Sequence, residues 1–232
     1  MSFSLTELLN QRHSCRAFLT TPVPRADIET LLNAARRAPS GANLQPGMFH
    51  VYTGQPLRHL TEELARHSET HAAEPLQYDY FPQPMPLTLK QRQRDAGYAL
   101  YHALGIEKRD IAGRRRQFAA NYRFFDAPVG IVVTIDKGMG AGCYMDLGMS
   151  LMSLFLAATE MGYGSCGIGA LANYGQHIHH YLELPNDQQV VCGIALGRPQ
   201  SDAPVNGFRT QRESLDNFAS LHGFDNSQED LA

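Results

Sequence analysis

The chain has 232 residues, of which 43% are hydrophobic and 19% are charged, and this balance excludes an intrinsically disordered protein. A formal net charge of −3 gives no global basic field, so neither nucleic acid nor an anionic membrane surface is expected as a partner. The length fits one domain spanning residues 1–232.

Cysteine spacing and the lack of a long apolar segment indicate a cytoplasmic protein. The four cysteines are far apart and include no C-x-x-C pair, which favours reduced thiols over a disulfide framework. The N-terminus lacks the basic start and apolar run of a secretory signal. The most apolar segment, residues 147–159, is shorter than the roughly 18 residues that a spanning helix needs, so no membrane segment is expected.

Helices and strands are predicted along the whole chain. The capping box from Ser4 to Glu7 starts one helix, and a second helix follows Pro24 and stops before Pro39. Periodicity then predicts a strand at residues 48–52, helices at about 57–68, 87–104 and 108–120, a strand at 129–135, a helix from 146 to about 161, a glycine-rich turn at 162–172, a short helix at 176–182 and a strand at 190–196.

Two of these regions have features that bear on function. Four prolines between residues 75 and 86 interrupt regular structure, and we interpret residues 75–125 as an inserted helical excursion that covers a site. The helix that starts at Asp146 has no wide polar face. A helix that is apolar all round must be buried on all sides, and in a chain of this size the centre of a homodimer interface is a natural place for it.

The segment of residues 12–16, Arg-His-Ser-Cys-Arg, is the strongest candidate for a binding site. If this segment is extended, Arg12, Ser14 and Arg16 project to the same face. Two guanidinium groups beside a hydroxyl suit a phosphate group, which carries three acceptor oxygens and up to about two negative charges. The alternative is that both arginines are ordinary surface residues in a helix-to-loop connection.

Other motifs give weaker indications. Residues 162–167 match G-x-G-x-x-G but follow a helix instead of a strand, which argues against a Rossmann dinucleotide site. His177, His179 and His180 have no carboxylate or cysteine at ligand spacing, so no metal site is predicted. Cys166 has no evident base and reads as a small buried residue. With no catalytic side chain in evidence, a bound cofactor is expected to carry the chemistry.

The chain resembles the FMN-dependent nitroreductase family, and most closely its nitrobenzoate reductase branch. The resemblance covers nearly the whole sequence and depends on the order and spacing of several motifs, namely residues 12–16, 38–46, 121–128, 146–149, 162–166 and 191–197. It implies an α+β nitroreductase-like fold, with a central, mostly antiparallel sheet flanked by helices, assembled as an intertwined homodimer whose two subunits both touch each FMN.

The resemblance also implies roles for individual residues. It places the phosphate and ribityl end of FMN at residues 12–16, with Arg209 as a further phosphate ligand and Arg198 and Arg212 as weaker candidates. It places the flavin ring between a loop of the partner chain and a glycine-rich backbone segment, where the N–H of Gly169 could donate to flavin N5. The implied cofactor-binding residues are Arg12, His13, Ser14, Arg16, Pro39, Ser40, Asn43, Gln45, Gly167, Ile168, Gly169, Ala170 and Arg209.

The implied activity is a ping-pong oxidoreduction through flavin N5. NADPH or NADH would reduce FMN and leave, and a small aromatic acceptor, a nitroaromatic compound or a quinone, would then use the same flavin face. Tyr122 and Phe124 are candidates for walls of this substrate pocket, with core packing as the alternative. Two other functions remain open: an FMN oxidoreductase of the dehalogenase or enoate/azoline type, and a flavin-binding module without turnover.

Overall fold

The computed structural model describes residues 3–224. The helices are α1 (Leu5–Gln11), α2 (Arg25–Ala35), α3 (Gly54–Thr70), α4 (Leu87–Ala103), α5 (Ile111–Ala119), α6 (Ala141–Glu160), α7 (Gly175–Tyr181), α8 (Pro204–Gly207) and α9 (Leu215–Phe218). Short 3-10 turns lie at Gly41–Asn43, Ala120–Asp126 and Gly169–Tyr174. The strands are β1 (Met48–Thr53), β2 (Val129–Asp136), β3 (Gly164–Ile168) and β4 (Gln188–Gly197).

The helix starts follow the local signals in the sequence. At α1 the Ser4 hydroxyl accepts a hydrogen bond from the Glu7 N–H, and the Glu7 carboxylate accepts one from the Ser4 N–H, which completes the predicted capping box. Helix α2 starts directly after Pro24, as predicted. The capping box of α1 thus satisfies backbone donors that would otherwise have no partner, whereas no side chain caps the first turn of α2.

The four strands form one antiparallel sheet in the order β1-β2-β4-β3. Side chains of β2 alternate between its two faces: Ile131 and Val133 belong to one core cluster and Val132 to the other. Helices α2 and α6 cover one face and α3 and α7 cover the other, so the architecture is a sheet between two helical layers. The predicted fold, a mostly antiparallel sheet flanked by helices, is confirmed.

Strand β3 is where the sequence-based prediction was wrong, because residues 162–172 were expected to form a turn. Glycine has a low strand propensity, and β3 contains Gly164 and Gly167. Gly164 is needed for close packing, since a Cβ there would lie 2.8 Å from the Cys15 side chain, whereas a Cβ on Gly167 would make an ordinary contact at 3.5 Å with the Phe155 ring. The strand forms because neighbouring groups pack directly on its backbone.

Helix α6 is only half covered within one chain. Leu147, Leu154 and Ala158 are buried against the sheet and α2, whereas Met145 is 70% exposed and Met149 is 40% exposed. The helix starts five residues earlier than predicted and has 20 residues, so the expected length was too short. Among the described residues it is the one helix that is long and apolar enough to cross a membrane by length and composition, and its buried face packs on the sheet.

Candidate functional site

The segment of residues 12–16 extends the sheet beyond β3. The Cys15 N–H donates a 2.9 Å hydrogen bond to the Ser165 carbonyl, and Ser14 and Ser165 form a parallel bridge. Helix α1 ends immediately before the segment, and the backbone of Arg12 leaves the helical conformation. Hydrogen bonding to the sheet edge therefore holds the segment in an extended conformation. This conformation is the one in which Arg12, Ser14 and Arg16 are expected to project to the same face.

Gly164 controls how closely this segment can approach the sheet. A Gly164→Ala substitution is expected to push the segment outward and to reduce stability by about 1–3 kcal/mol, the usual cost of overpacking. The measurement is urea unfolding together with FMN affinity. Gly142→Ala is the control, because a Cβ there meets no atom within 4 Å. Equal stability and affinity of the two variants would contradict this role of Gly164.

Four arginines converge on a cleft of about 580 Å³ beside the segment. Arg12, Arg16, Arg209 and Arg212 line the cleft with Ser14 and His13, and Ala96, Gly97 and Leu100 of α4 form the opposite wall. Among residues 3–224 no carboxylate lies within ion-pair distance of any of these four arginines. The cleft is therefore a concentration of positive charge that the described part of the chain does not neutralise.

The electrostatics of the cleft favour an anion. Burial lowers the pKa of Arg12, and the neighbouring Arg212 and Arg209 lower it further. Burial also lowers the pKa of His13, an effect that the surrounding arginines increase and a hydrogen bond to the Gln11 carbonyl opposes. Arg12 Nε and His13 Nε2 are both buried without a hydrogen-bond partner. An unpaired buried donor such as Arg12 Nε is costly, and a phosphate group would satisfy it.

Asn206 fixes the position of two of these arginines. It is only 6% exposed, and its Oδ1 accepts a 2.8 Å hydrogen bond from the Arg16 N–H. Its Nδ2 donates to the carbonyls of Ala17 and Gln200, while its own carbonyl accepts from Arg209 Nη1 at 2.9 Å. Sequence reasoning missed this residue, because nothing in the local pattern around Asn206 indicates a contact 190 residues away.

The loop before β1 forms a second, separate cavity of about 340 Å³. Pro39, Ser40 and Gln45 line it, and none of its lining residues belongs to the arginine cleft. The Ser40 hydroxyl accepts a hydrogen bond from the Gln45 N–H at 2.9 Å, and the Gly41 N–H donates to Asp146 of α6 at 3.0 Å. Asn43 lies in the same loop with a positive φ of 56°, and its carbonyl accepts a hydrogen bond from the Gln45 amide.

The glycine-rich segment at the end of β3 presents its backbone to an aromatic side chain. A Cβ on Gly169 would lie 2.8 Å from the ring of Tyr80, so only glycine allows this contact. Ile168 is 1% exposed and its side chain belongs to the core, so it could reach a ligand only through its backbone. Ala170 also packs against this core.

Tyr122 and Phe124 do not line an open pocket, which corrects the sequence-based interpretation. Phe124 is fully buried, and its ring fills the space that Gly130 and Gly193 leave on the sheet. Tyr122 is 4% exposed and its hydroxyl accepts a 3.2 Å hydrogen bond from Asn173. Their placement agrees with the alternative of core packing. Tyr80 and Phe81, by contrast, are each about half exposed and pack edge to face at 4.7 Å.

Of the remaining candidates, Cys166 does not provide a nucleophile, and only one of the two weaker arginine candidates lies in the arginine cleft. Burial raises the pKa of Cys166, so the thiol stays protonated and fits the structural role expected for it. The Arg198 guanidinium stacks over the Tyr163 ring at 4.6 Å and does not line the arginine cleft. Arg212, the other weak candidate, does line the cleft.

Comparisons with known proteins agree with this fold. The family model described as the nitroreductase family matches residues 9–198, and the chain belongs to this family. The chain is 36% identical over 214 residues to a 4-nitrobenzoate reductase from Pseudomonas putida, an alignment that covers 92% of this chain and 93% of that protein. The family predicted from the sequence is thus confirmed.

Two solved structures share the fold. The FMN and NADPH-dependent nitroreductase NfnB from Sphigopyxis sp. strain HMH superposes with a TM-score of 0.92 at 37% identity, over 96% of this chain and all of that one. The FMN-dependent nitroreductase NfnB from Mycobacterium smegmatis, solved in complex with NADPH, gives a TM-score of 0.87 at 27% identity, over 93% of this chain and 96% of that one.

Proposed function

We propose that the protein is an FMN-dependent oxidoreductase that uses NADPH or NADH to reduce nitroaromatic compounds or quinones. The observation that carries the proposal is the cleft lined by Arg12, Arg16, Arg209 and Arg212, whose charge no carboxylate of the described chain neutralises. The names of the relatives, 4-nitrobenzoate reductase and FMN and NADPH-dependent nitroreductase, support the choice of cofactor and acceptor.

The residues of the cleft fit a flavin nucleotide. The buried Arg12 Nε without a partner, the Ser14 hydroxyl and the fixed Arg16 suit the phosphate and ribityl oxygens of FMN, and Arg209 adds a further charged donor. When bound, FMN supplies reversible two-electron chemistry at N5. The chain would bind and orient this group, and no side chain is required as a strong base.

We assign the second cavity to the partner's cofactor site in a homodimer. The loop with Pro39, Ser40, Asn43 and Gln45 shares no lining residue with the arginine cleft of the same chain, so it would contribute to a flavin bound by the other subunit. Its link to α6 through Asp146 supports this assignment, because α6 has the apolar face that one chain leaves exposed. The interface would then complete both sites.

The excursion of residues 75–125 would cover the flavin within the single domain. Helix α4 already contributes Ala96, Gly97 and Leu100 to the arginine cleft. In place of Tyr122 and Phe124, we assign the aromatic wall of the substrate pocket to Tyr80, which lies beside Gly169, and to Phe81, which packs on Tyr80. Both rings keep large accessible surfaces. The Gly169 N–H would lie next to the flavin ring, and the wall would hold a flat acceptor against it.

A Tyr80→Ala substitution is expected to raise KM for a nitroaromatic acceptor by about tenfold, since one aromatic pair is worth roughly 0.5–1.5 kcal/mol. Steady-state kinetics at saturating nicotinamide measure this effect. The control is Tyr80→Phe, which keeps the ring and is expected to keep KM within about twofold. An unchanged KM in Tyr80→Ala would remove Tyr80 from the pocket wall.

One anaerobic experiment tests the proposed function. The yellow protein is mixed with NADPH or with NADH, and bleaching of the flavin absorbance followed by recolouring on addition of 4-nitrobenzoate or a quinone is expected. A protein that binds FMN but bleaches with neither nicotinamide would be a binding module without turnover. A protein that bleaches but recolours only with an enoate or a halogenated acceptor would be a different FMN oxidoreductase.

The expected location is the cytoplasm, where both nicotinamides are available. Burial raises the pKa of Cys15 to about 11 and that of Cys192 to about 12, so these thiols stay protonated and unreactive. All four cysteines are free, as expected for a reducing compartment.

A further inference from the structure

We propose that Glu63, His67 and His177 form a binding site for a divalent transition metal ion, with Zn²⁺ as the best match. One carboxylate and two imidazoles are a ligand set that zinc accepts, and three protein ligands leave one position for water. The three potential ligand atoms all lie within 4.8 Å of one another. The cluster shares no residue with the arginine cleft or with the loop cavity, so it is separate from the proposed flavin site.

The fold brings the three residues together from two helices. Glu63 and His67 lie one helical turn apart on α3 and therefore share a face, and His177 comes from the facing helix α7. No spacing in the sequence links His177 to Glu63, because this carboxylate lies more than 100 residues earlier. An ion held here would connect α3 to α7 across the face of the sheet that both helices cover.

The polar atoms of this cluster are close together but not satisfied. His177 Nε2 lies 2.9 Å from Glu63 Oε1, yet it is buried and makes no hydrogen bond, because the direction between the atoms is unsuitable. The side chains are mostly enclosed, with 19% of His177 and 17% of Glu63 exposed. A buried imidazole nitrogen that lies 2.9 Å from a carboxylate oxygen without a well-directed hydrogen bond is an arrangement that a cation bound to both groups would stabilise.

Groups around the cluster hold the two helices in position. The Tyr174 hydroxyl donates to the His71 carbonyl at 3.1 Å, and the Glu74 carboxylate accepts from the N–H groups of Gln176 and His177 at the start of α7. The edge of the Tyr174 ring also packs on His67. This support means that ion binding requires rotation of side chains and no movement of the helices.

Two rearrangements would accompany binding. The rings of His67 and His177 are stacked with centroids 3.6 Å apart, so one ring must turn before both nitrogens can face the same ion. Arg66 also contacts Glu63, at 2.7 Å from Oε1, and must release it. The Arg66 side chain is 66% exposed, so it can move into solvent. Both costs reduce affinity, and we therefore expect binding in the micromolar range instead of the tighter range of closed structural zinc sites.

The test is a zinc titration of the purified flavoprotein after treatment with a chelator, read by competition with a coloured zinc indicator and by the thermal unfolding midpoint. We expect one Zn²⁺ per chain and a higher midpoint when zinc is present. His67→Ala and His177→Ala are each expected to weaken binding at least about tenfold. Glu63→Gln keeps the side-chain shape and is the variant of choice if either alanine variant fails to fold.

The controls are His59→Ala on α3 and His180→Ala on α7, since both side chains are exposed and lie outside the cluster. Equal zinc affinity in cluster and control variants would overturn the proposal, as would the absence of binding below about 1 mM. FMN content is measured in every sample. Because the zinc cluster and the flavin site share no residue, we expect the cluster variants to lose zinc binding and to keep their full FMN content.

Discussion

Arg12→Ala is expected to leave most of the purified protein without FMN. The variant removes a partly buried guanidinium from a cleft in which it would pair with phosphate, and the loss of a charge-assisted hydrogen bond costs about 2 kcal/mol. This cost corresponds to roughly 30-fold weaker binding of FMN. The ratio of flavin absorbance to protein absorbance measures retention, and fluorescence titration of the apoprotein gives the dissociation constant.

Arg115→Ala is the matched control for this variant. Arg115 is exposed on α5 and does not line the arginine cleft, so its removal changes the net charge equally without touching the proposed phosphate site. Arg12→Ala protein that purifies with full flavin and an unchanged dissociation constant would exclude Arg12 from cofactor binding. Salt dependence adds a further check, because the affinity of the wild type should fall more steeply with ionic strength than that of Arg12→Ala.

Met149→Asp is expected to convert the proposed homodimer into monomers. Met145, Met149, Met152 and Leu156 lie on one face of α6, opposite the face that packs on the sheet. If a partner covers this face, a carboxylate at residue 149 loses its hydration, at a cost on the order of 3 kcal/mol for each subunit. Sedimentation velocity over a range of concentrations measures the shift towards the monomer.

Met149→Leu is the control for the interface, because it keeps an apolar side chain of similar volume. Since residue 149 is 40% exposed in one chain, aspartate there is not expected to prevent the chain itself from folding. If the Met149→Asp protein remains a dimer with normal FMN content, another surface joins the subunits. If it is monomeric and has also lost FMN, the loop of residues 39–45 is supported as a contribution from the partner.

The elements of the fold could be predicted wherever local signals and burial agree. Strand β2 is apolar on both sides because it lies between two helical layers, and its prediction was accurate to one residue. Strand β3 was missed because Gly164 serves a packing partner that is far away in the sequence. The start of α6 was placed too late, since Ala141–Met145 lacks a clear stop or cap and Gly140 provides no side-chain hydrogen bond.

Only the part of the candidate site that shows as a local pattern of charge and spacing could be predicted from the sequence. Arg12 and Arg16 form a short local pattern, and the structure brings them together with Arg209. Asn206 and Tyr80 could not be found from the sequence, because their roles arise from contacts made only after folding. Tyr122 and Phe124 were misplaced for the same reason, since an aromatic residue that fills a core and one that lines a pocket look alike in a sequence.

The hydrogen bonds of Asn206 have a consequence for the order of events during synthesis. All four strands are complete by Gly197, while Asn206, Arg209 and Arg212 emerge from the ribosome later. A nascent chain can therefore assemble its sheet before it contains all of the groups that line the arginine cleft. Flavin loading is expected to be a late step that follows synthesis of Arg212.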